Sequence, residues 1–144
     1  MTAILNTTVP AAGTYTGSLF QCRVPAPLNP VLTAQLTFTW GSGGTSINAF
    51  LQTSFDGGTN WCDVVSFAQL LLASQRAAAS VVQGGVTPVA VTDGTLAAGT
   101  ANAGLFGPWW RVKYTVAGAY TASTLRVDAF ANVGIVPAGA GAFN

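Results

Sequence analysis

In residues 31–40 every second side chain is apolar. Leu32, Ala34, Leu36, Phe38 and Trp40 fall on one side, with Thr33, Gln35, Thr37 and Thr39 on the other. An extended strand, whose side chains alternate between two faces, separates these sets; a helix mixes them. The pattern returns in 46–55, where Ile47, Ala49, Leu51 and Phe55 are expected inward and Asn48, Gln52 and Ser54 outward. It returns in 109–116, with Trp110, Val112, Tyr114 and Val116 against Trp109, Arg111, Lys113 and Thr115. A further copy lies in 124–129, with Leu125, Val127 and Ala129 inward and Thr124, Arg126 and Asp128 outward.

Turn residues separate these runs. Pro25, Pro27 and Pro30 forbid regular ladder pairing and mark 25–30 as a connection. Residues 41–44 read as a turn. Asp56-Gly57-Gly58-Thr59-Asn60 reads as a hairpin loop, since Asp and Gly accept the backbone that such turns need, and 61–67 returns as a strand. Residues 69–79 carry helical propensity, so 68–85 is expected as a long crossing connection with one helical turn and then a strand. A short strand is expected at 86–92, stopped by Asp93-Gly94, with a Gly/Ala/Thr-rich loop over 95–107. Residues 14–24 are expected as a first strand and 1–12 as an arm or edge segment. The last two strands are expected to pair as a hairpin, leaving 134–144 as a tail. Short strands at this spacing predict one all-β domain over 1–144: a single antiparallel β-sandwich, jelly-roll-like, with flexible N- and C-terminal arms at 1–12 and 134–144.

Charge narrows the chemistry. The chain has 144 residues, room for one core, and only five Lys or Arg and four Asp, with no Glu and no His. The commonest general base and metal ligand are therefore absent, and no serine has an imidazole to activate it. Asp56, Asp63, Asp93 and Asp128 are scattered; Asp56 and Asp93 sit in Asp-Gly turns, and Asp63, within a strand, needs a partner. Gly41 to Gly44 lack the lysine of a phosphate-binding loop. No enzyme and no cofactor are expected. Cys22 and Cys62 are expected as small buried thiols, and a zinc site would need further Cys or His ligands that the chain does not have. A net charge of +1 gives no broad footprint for nucleic acid or an anionic membrane. Polar residues or glycine interrupt every long apolar run, so no spanning helix is expected. Residues 1–15 lack the basic and apolar regions of a signal peptide, which predicts a cytoplasmic product.

Ser54, Asp56, Gly58 and Trp61 fall in a segment that resembles the Asp-box, S-x-D-x-G-x-T-W, with Asn60 where threonine is expected. That resemblance implies a hairpin device in which Asp56 accepts loop amides and Trp61 packs beneath the turn. Arg111, Lys113, Arg126 and Asp128 would share one face if the last two strands pair, as a polar intersubunit face or an anion contact. One of Trp109 and Trp110 must point away from the core, and Trp109 becomes a candidate interface anchor.

Only 6% of the residues are charged, against about a quarter in a typical soluble domain. Such a surface is suited to being covered by identical neighbours. The runs FLQTSFDGGTNWCDVVSF and GPWWRVKYTVAGAYTASTLRVDAFA resemble small structural proteins of tailed bacteriophages. The resemblance rests on Gln52, Thr53, Ser54, Asp56, Gly57, Gly58 and Trp61, then Arg111, Val112, Lys113, Tyr114, Gly118, Tyr120, Thr124, Leu125 and Val127. It implies a virion component assembled in the host cytoplasm. A capsid decoration (cement) protein, a homotrimer on the outer head surface bound to the major capsid protein, fits small size and low charge. The alternatives are a tail, collar or baseplate component, or a carbohydrate-binding module using Trp109, Trp61 and Tyr120.

Overall fold

The computed structural model describes residues 2–23, 29–84, 88–102, 104–132 and 134–137. Within them lie β1 (Thr2–Thr8), β2 (Gly13–Thr16), β3 (Phe20–Arg23), β4 (Val31–Thr39), β5 (Ser42–Gly43), β6 (Ser46–Ser54), β7 (Cys62–Ser66), β8 (Gln75–Val82), β9 (Thr100–Ala101), β10 (Trp109–Ala117), β11 (Tyr120–Thr121), β12 (Thr124–Ala131) and β13 (Gly134–Pro137). A four-stranded sheet runs in the order β1-β12-β4-β8. A seven-stranded sheet runs β13-β3-β10-β6-β7-β9, with β2 also on β10, and β11-β5 form a small ribbon. Every pairing is antiparallel.

The alternation explains the architecture. Leu32, Leu36 and Phe38 of β4, Leu125 and Val127 of β12 and Val81 of β8 face one core with Ile47 and Leu51 of β6 and Trp110, Val112 and Val116 of β10. Phe106 meets the Trp110 ring edge-on at 4.8 Å, and Tyr120 meets Phe38 the same way at 5.7 Å. The protein is thus an all-β sandwich of antiparallel sheets. Its pairings do not by themselves establish a jelly-roll order.

Several expectations are corrected. Of the two readings of 1–12, the edge segment holds over its first part and the flexible arm does not, because Thr2–Thr8 is the edge strand of the four-stranded sheet, paired with β12 from Thr2↔Ala129 to Thr8↔Thr124. The strand expected at 14–24 is two strands, β2 and β3, which pair with opposite ends of β10. Between them Gly17 keeps one hydrogen bond to the Val112 carbonyl (2.8 Å) and the chain steps away. No helix forms among the described residues; Gln75–Val82 is drawn into strand by eight residue pairs with β4, which seat Val81 in the core. Residues 88–92 are not a strand, and 86 and 87 lie outside the described residues. Of the expected tail, Gly134–Pro137 pairs with β3, and 138–144 lie outside the described residues.

The largest correction concerns the last hairpin. β10 and β12 are consecutive long strands, but β10 pairs with β6 while β12 pairs with β4 and β1. The connection climbs from one sheet to the other through β11, which pairs with β5. This corner is tight. Gly44 has φ +87°, and a Cβ there would overlap the Tyr120 ring. Gly118 has φ +80°, and a Cβ would lie 2.6 Å from Thr45 Oγ1. Both positions combine a left-handed backbone with no room for a side chain.

Gly44→Ala is therefore expected to cost at least about 2 kcal/mol, from backbone strain together with overpacking. Denaturant unfolding of the variant checks this; a loss below about 0.5 kcal/mol would mean that the corner yields.

Candidate functional site

Over β6 and β7 the seven-stranded sheet is buried on its outer face as well as on its core face. Gln52, Ser54 and Asp63 are fully buried there, although alternation put Gln52 and Ser54 outward toward solvent. The cover is the 88–107 segment, tied down through β9 and through hydrogen bonds such as Asp63 N–H to the Thr92 carbonyl (2.8 Å). Phe55, expected inward, is 57% exposed, because β6 ends at Ser54 and Phe55 opens the turn.

A β-bulge sets the site. Leu51 opposes Val65, but the next residue, Gln52, opposes Asp63, so Val64 is the extra residue of β7. The bulge breaks the alternation that would have placed Asp63 and Val65 on one face, and turns the Asp63 carboxylate onto the outer side beside Gln52.

Asp63 is saturated with donors. Gln52 Nε2 donates to Oδ1 at 2.7 Å and Thr92 Oγ1 to Oδ2 at 2.7 Å. The backbone N–H of Gly94 donates to both oxygens at 2.8 Å, and those of Thr95 and Leu96 to Oδ2 at 3.0 and 3.1 Å. Three successive amides converging on one anion form a nest, opened by the left-handed Gly94 (φ +86°). Burial alone would raise the Asp63 pKa; the hydrogen bonds from Gln52, Thr92 and the amides of Gly94 and Leu96 outweigh it and hold the group below its ordinary range.

Gln52 joins this carboxylate to a second one. Its Nε2 also donates to Asp93 Oδ1 (2.7 Å), and its Oε1 accepts from Arg111 Nε (2.7 Å). Asp93 Oδ1 also pairs with Lys113 Nζ at 2.9 Å and with Arg111 Nη2 at 3.5 Å. Desolvation pushes the Asp93 pKa up, and the bonds from Lys113 and Gln52 with both cations bring it below its usual value. The Arg111 guanidinium lies 4.3 Å from the Trp61 ring centroid, a cation–π contact. Two acids and two bases thus neutralise one another around a single amide.

The hairpin motif adjoins this cluster. Ser54 Oγ donates to Asp56 Oδ1 (2.8 Å) and accepts from Gly58 N–H (3.0 Å). Asn60 donates its backbone N–H to Asp56 Oδ1 (2.9 Å) and its Nδ2 to Oδ2 (2.7 Å). Trp61 Nε1 closes the turn on the Gly58 carbonyl (2.9 Å). The Asn60 bonds, then Ser54, lower the Asp56 pKa to about 2. Asn60, at the position of the motif's threonine, supplies the cap on Asp56.

Of the five candidate interface residues, only part come together. Trp109, Arg111 and Lys113 lie on the outer face of the seven-stranded sheet, with Trp109 half-buried between Gln21 and Ser54 in register. Arg126 and Asp128 lie on β12, on the outer face of the other sheet, so the four charges do not share one face. There Arg126 Nη2 pairs with Asp128 at 2.9 Å and its Nε spans both carboxylate oxygens. Trp61, Trp109 and Tyr120 form no aromatic row. Trp61 is buried under Arg111, and Tyr120, beyond the far end of β10 from Trp109, packs on Phe38.

Cys22 and Cys62 are both free and buried, and burial pushes the Cys22 thiol up to about 12. Among the described residues no group of three or more His, Cys, Asp or Glu is placed to hold a metal ion, and no helix is long and apolar enough to cross a membrane. Every charged group of the cluster is spent on another group of the chain, so its chemistry is that of a clamp holding 92–96 on the sheet. Sequence reasoning named Arg111, Lys113 and Trp61 but missed Gln52, Asp63 and Asp93 as their partners; the available signal was a charged Asp63 inside an otherwise strand-like run. No known protein family, curated protein or solved structure matches the chain.

Asp63→Asn replaces an acceptor by an amide that must aim two N–H groups at three backbone donors, and is expected to cost about 3 kcal/mol. Acid acts the same way. Asp56, Asp63 and Asp93 all titrate below their ordinary range in the folded chain, so each contributes stability above the unfolded pKa near 3.8 and loses it as pH falls. Chemical denaturation midpoints should be flat from about pH 7 to 5 and drop between 3.8 and about 2, where Asp56 protonates. A rise across that window would contradict the assignment.

Proposed function

We propose that the protein is a structural component of a virus particle, in the role of a capsid decoration (cement) protein. In this reading it binds the major capsid protein on the outer head surface as a homo-oligomer, a trimer, and holds neighbouring capsomers together. The observation that carries the reading is the outer edge of β8, which no strand among the described residues pairs with. β8 ends the four-stranded sheet, and its eight residues hold one charge, Arg76, with no Lys, Asp or Pro. Monomeric β proteins blunt such edges with charge, proline or a bulge, because unpaired backbone donors and acceptors recruit another strand. Exposed apolar residues flank it, Leu71 and Leu72 (50% and 51%) before the strand and Val82 (47%) at its end.

The adjoining outer face suits a broad contact. Thr33 and Ser80 hydrogen-bond across the ladder (2.7 Å), Arg126 is neutralised by Asp128, and Phe130 stands 62% exposed beside them. A strand edge met by a different strand of the next copy makes a head-to-tail contact, which a threefold ring closes. Affinity in such a particle comes from repetition: one modest contact repeated over many copies offsets the association entropy.

Native mass in solution, with co-sedimentation on heads of the virus that encodes the chain, tests the reading. An oligomer that pellets with heads is expected. Ala78→Lys, at an exposed position on β8, should keep the fold and weaken assembly about tenfold or more through charge repulsion and edge protection. A monodisperse monomer that ignores heads at high concentration would sink the proposal.

A further inference from the structure

Residues 88–91 have the composition of a strand but no strand to pair with. Val89, Val91 and the following Thr92 favour extended backbone. Yet among the described residues no backbone hydrogen bond reaches 88–91, and the first such bond comes at Thr92, whose carbonyl accepts from Asp63 N–H. Val89 and Val91 are both exposed, and in an extended chain alternation puts them on one side. The chain thus carries an edge without a further strand, β8, and a strand-like segment without an edge.

Charge selects the register in which the two fit. Between Arg76 and Arg111 the only charged residue in the sequence is Asp93. Among the described residues Arg76 has no carboxylate partner and reaches only Gln35 Oε1, at 3.4 Å. Asp93 engages Gln52, Arg111 and Lys113 through Oδ1, and its side chain is half exposed. An antiparallel pairing that sets Arg76 opposite Asp93 also sets Ala78 opposite Val91 and Ser80 opposite Val89. Arg76, Ala78 and Ser80 share the exposed face of β8, where two small side chains leave room for two valines. Pro88, with no N–H to give, then stands first in the added strand, a position a ladder tolerates.

We propose that the 88–91 segment of one copy adds as an antiparallel strand to the β8 edge of the next, with Ala78 opposite Val91 and Arg76 beside Asp93. The proposal rests on the self-association in the virion reading and names its contact. One edge and one segment in each copy make that contact head-to-tail.

Cysteine cross-linking of the full chain tests it. Proteins carrying Ala78→Cys and Val91→Cys separately, mixed and treated with a short bis-maleimide, are expected to give a linked dimer, and each alone to give none. Asn6→Cys, at an exposed position of the β1 edge, should give no link when it replaces Ala78→Cys in the mixture. The unsubstituted chain should also stay unlinked, since Cys22 and Cys62 are buried. Val91→Lys should shift the native mass to that of the monomer with the far-ultraviolet circular dichroism unchanged. Linkage of the Ala78→Cys protein with itself would mean that two β8 edges meet, and would overturn the inference. An oligomer that pellets with heads but lacks the mixed link would overturn it and leave the virion reading standing; a monomer would remove both. A mixed link in an oligomer that ignores heads would uphold the contact and remove the virion reading.

Discussion

Both faces of β6 are buried, and much of the fold follows from how each face is satisfied. The inner face needs only apolar neighbours, and Ile47, Ala49 and Leu51 find them in the core. The outer face carries Gln52 and Ser54, whose polar atoms lose water and must find partners within the chain. β6 also lies between β10 and β7, and those strands supply the partners of Gln52, Arg111 from β10 and Asp63 from β7, while Ser54 is met within its own turn by Asp56 and Gly58. A covering segment brings the rest: in the 92–96 stretch three amides and the Thr92 hydroxyl donate to Asp63, and Asp93 accepts from Gln52.

The energetics of this arrangement are asymmetric. A buried carboxylate fully matched by donors adds little net stability over an apolar pair of the same shape, because desolvation offsets most of the gain. Removing one partner is costly, because the rest remain buried without it. The cluster therefore acts chiefly on specificity. Arg126–Asp128 lacks this leverage, since Arg126 is half exposed and solvent screens the pair. Of the charged groups near the last two long strands, only those under the cover fix structure.

How much of this could be read in advance differs by kind of information. Strand identity was legible wherever one face is buried, as in β4, β10 and β12, because alternation there is a direct consequence of burial. The Ser54–Trp61 turn was legible because its chemistry is local. Partner choice was not. Alternation says that Arg111 and Arg126 point away from a core, but not that they point away from opposite sides of it. The hairpin reading assumed that neighbours in sequence pair, and the tight corner at Gly44 and Gly118 sends the chain to the other sheet instead. Asp63 was read as needing a partner, but which groups meet it, and that Gln52 is covered at all, stayed hidden for a related reason. A polar residue on an outward face signals solvent unless a later segment covers it, and neither the bulge at Val64 nor the cover from 88–107 leaves a mark in the residues it acts on.

The two open margins of the sandwich differ in what they ask of an occupant. The seam beside β1 is a cavity whose lining mixes core residues such as Ile4 and Phe20 with polar ones such as Thr2, Asn6 and Ser18. The β8 edge is backbone-rich, with Leu72 before the strand and Val82 at its end. It rewards a strand rather than a side chain, and among the described residues β4 is its one pairing partner. A chain with 6% charged residues has little else to keep such an edge single.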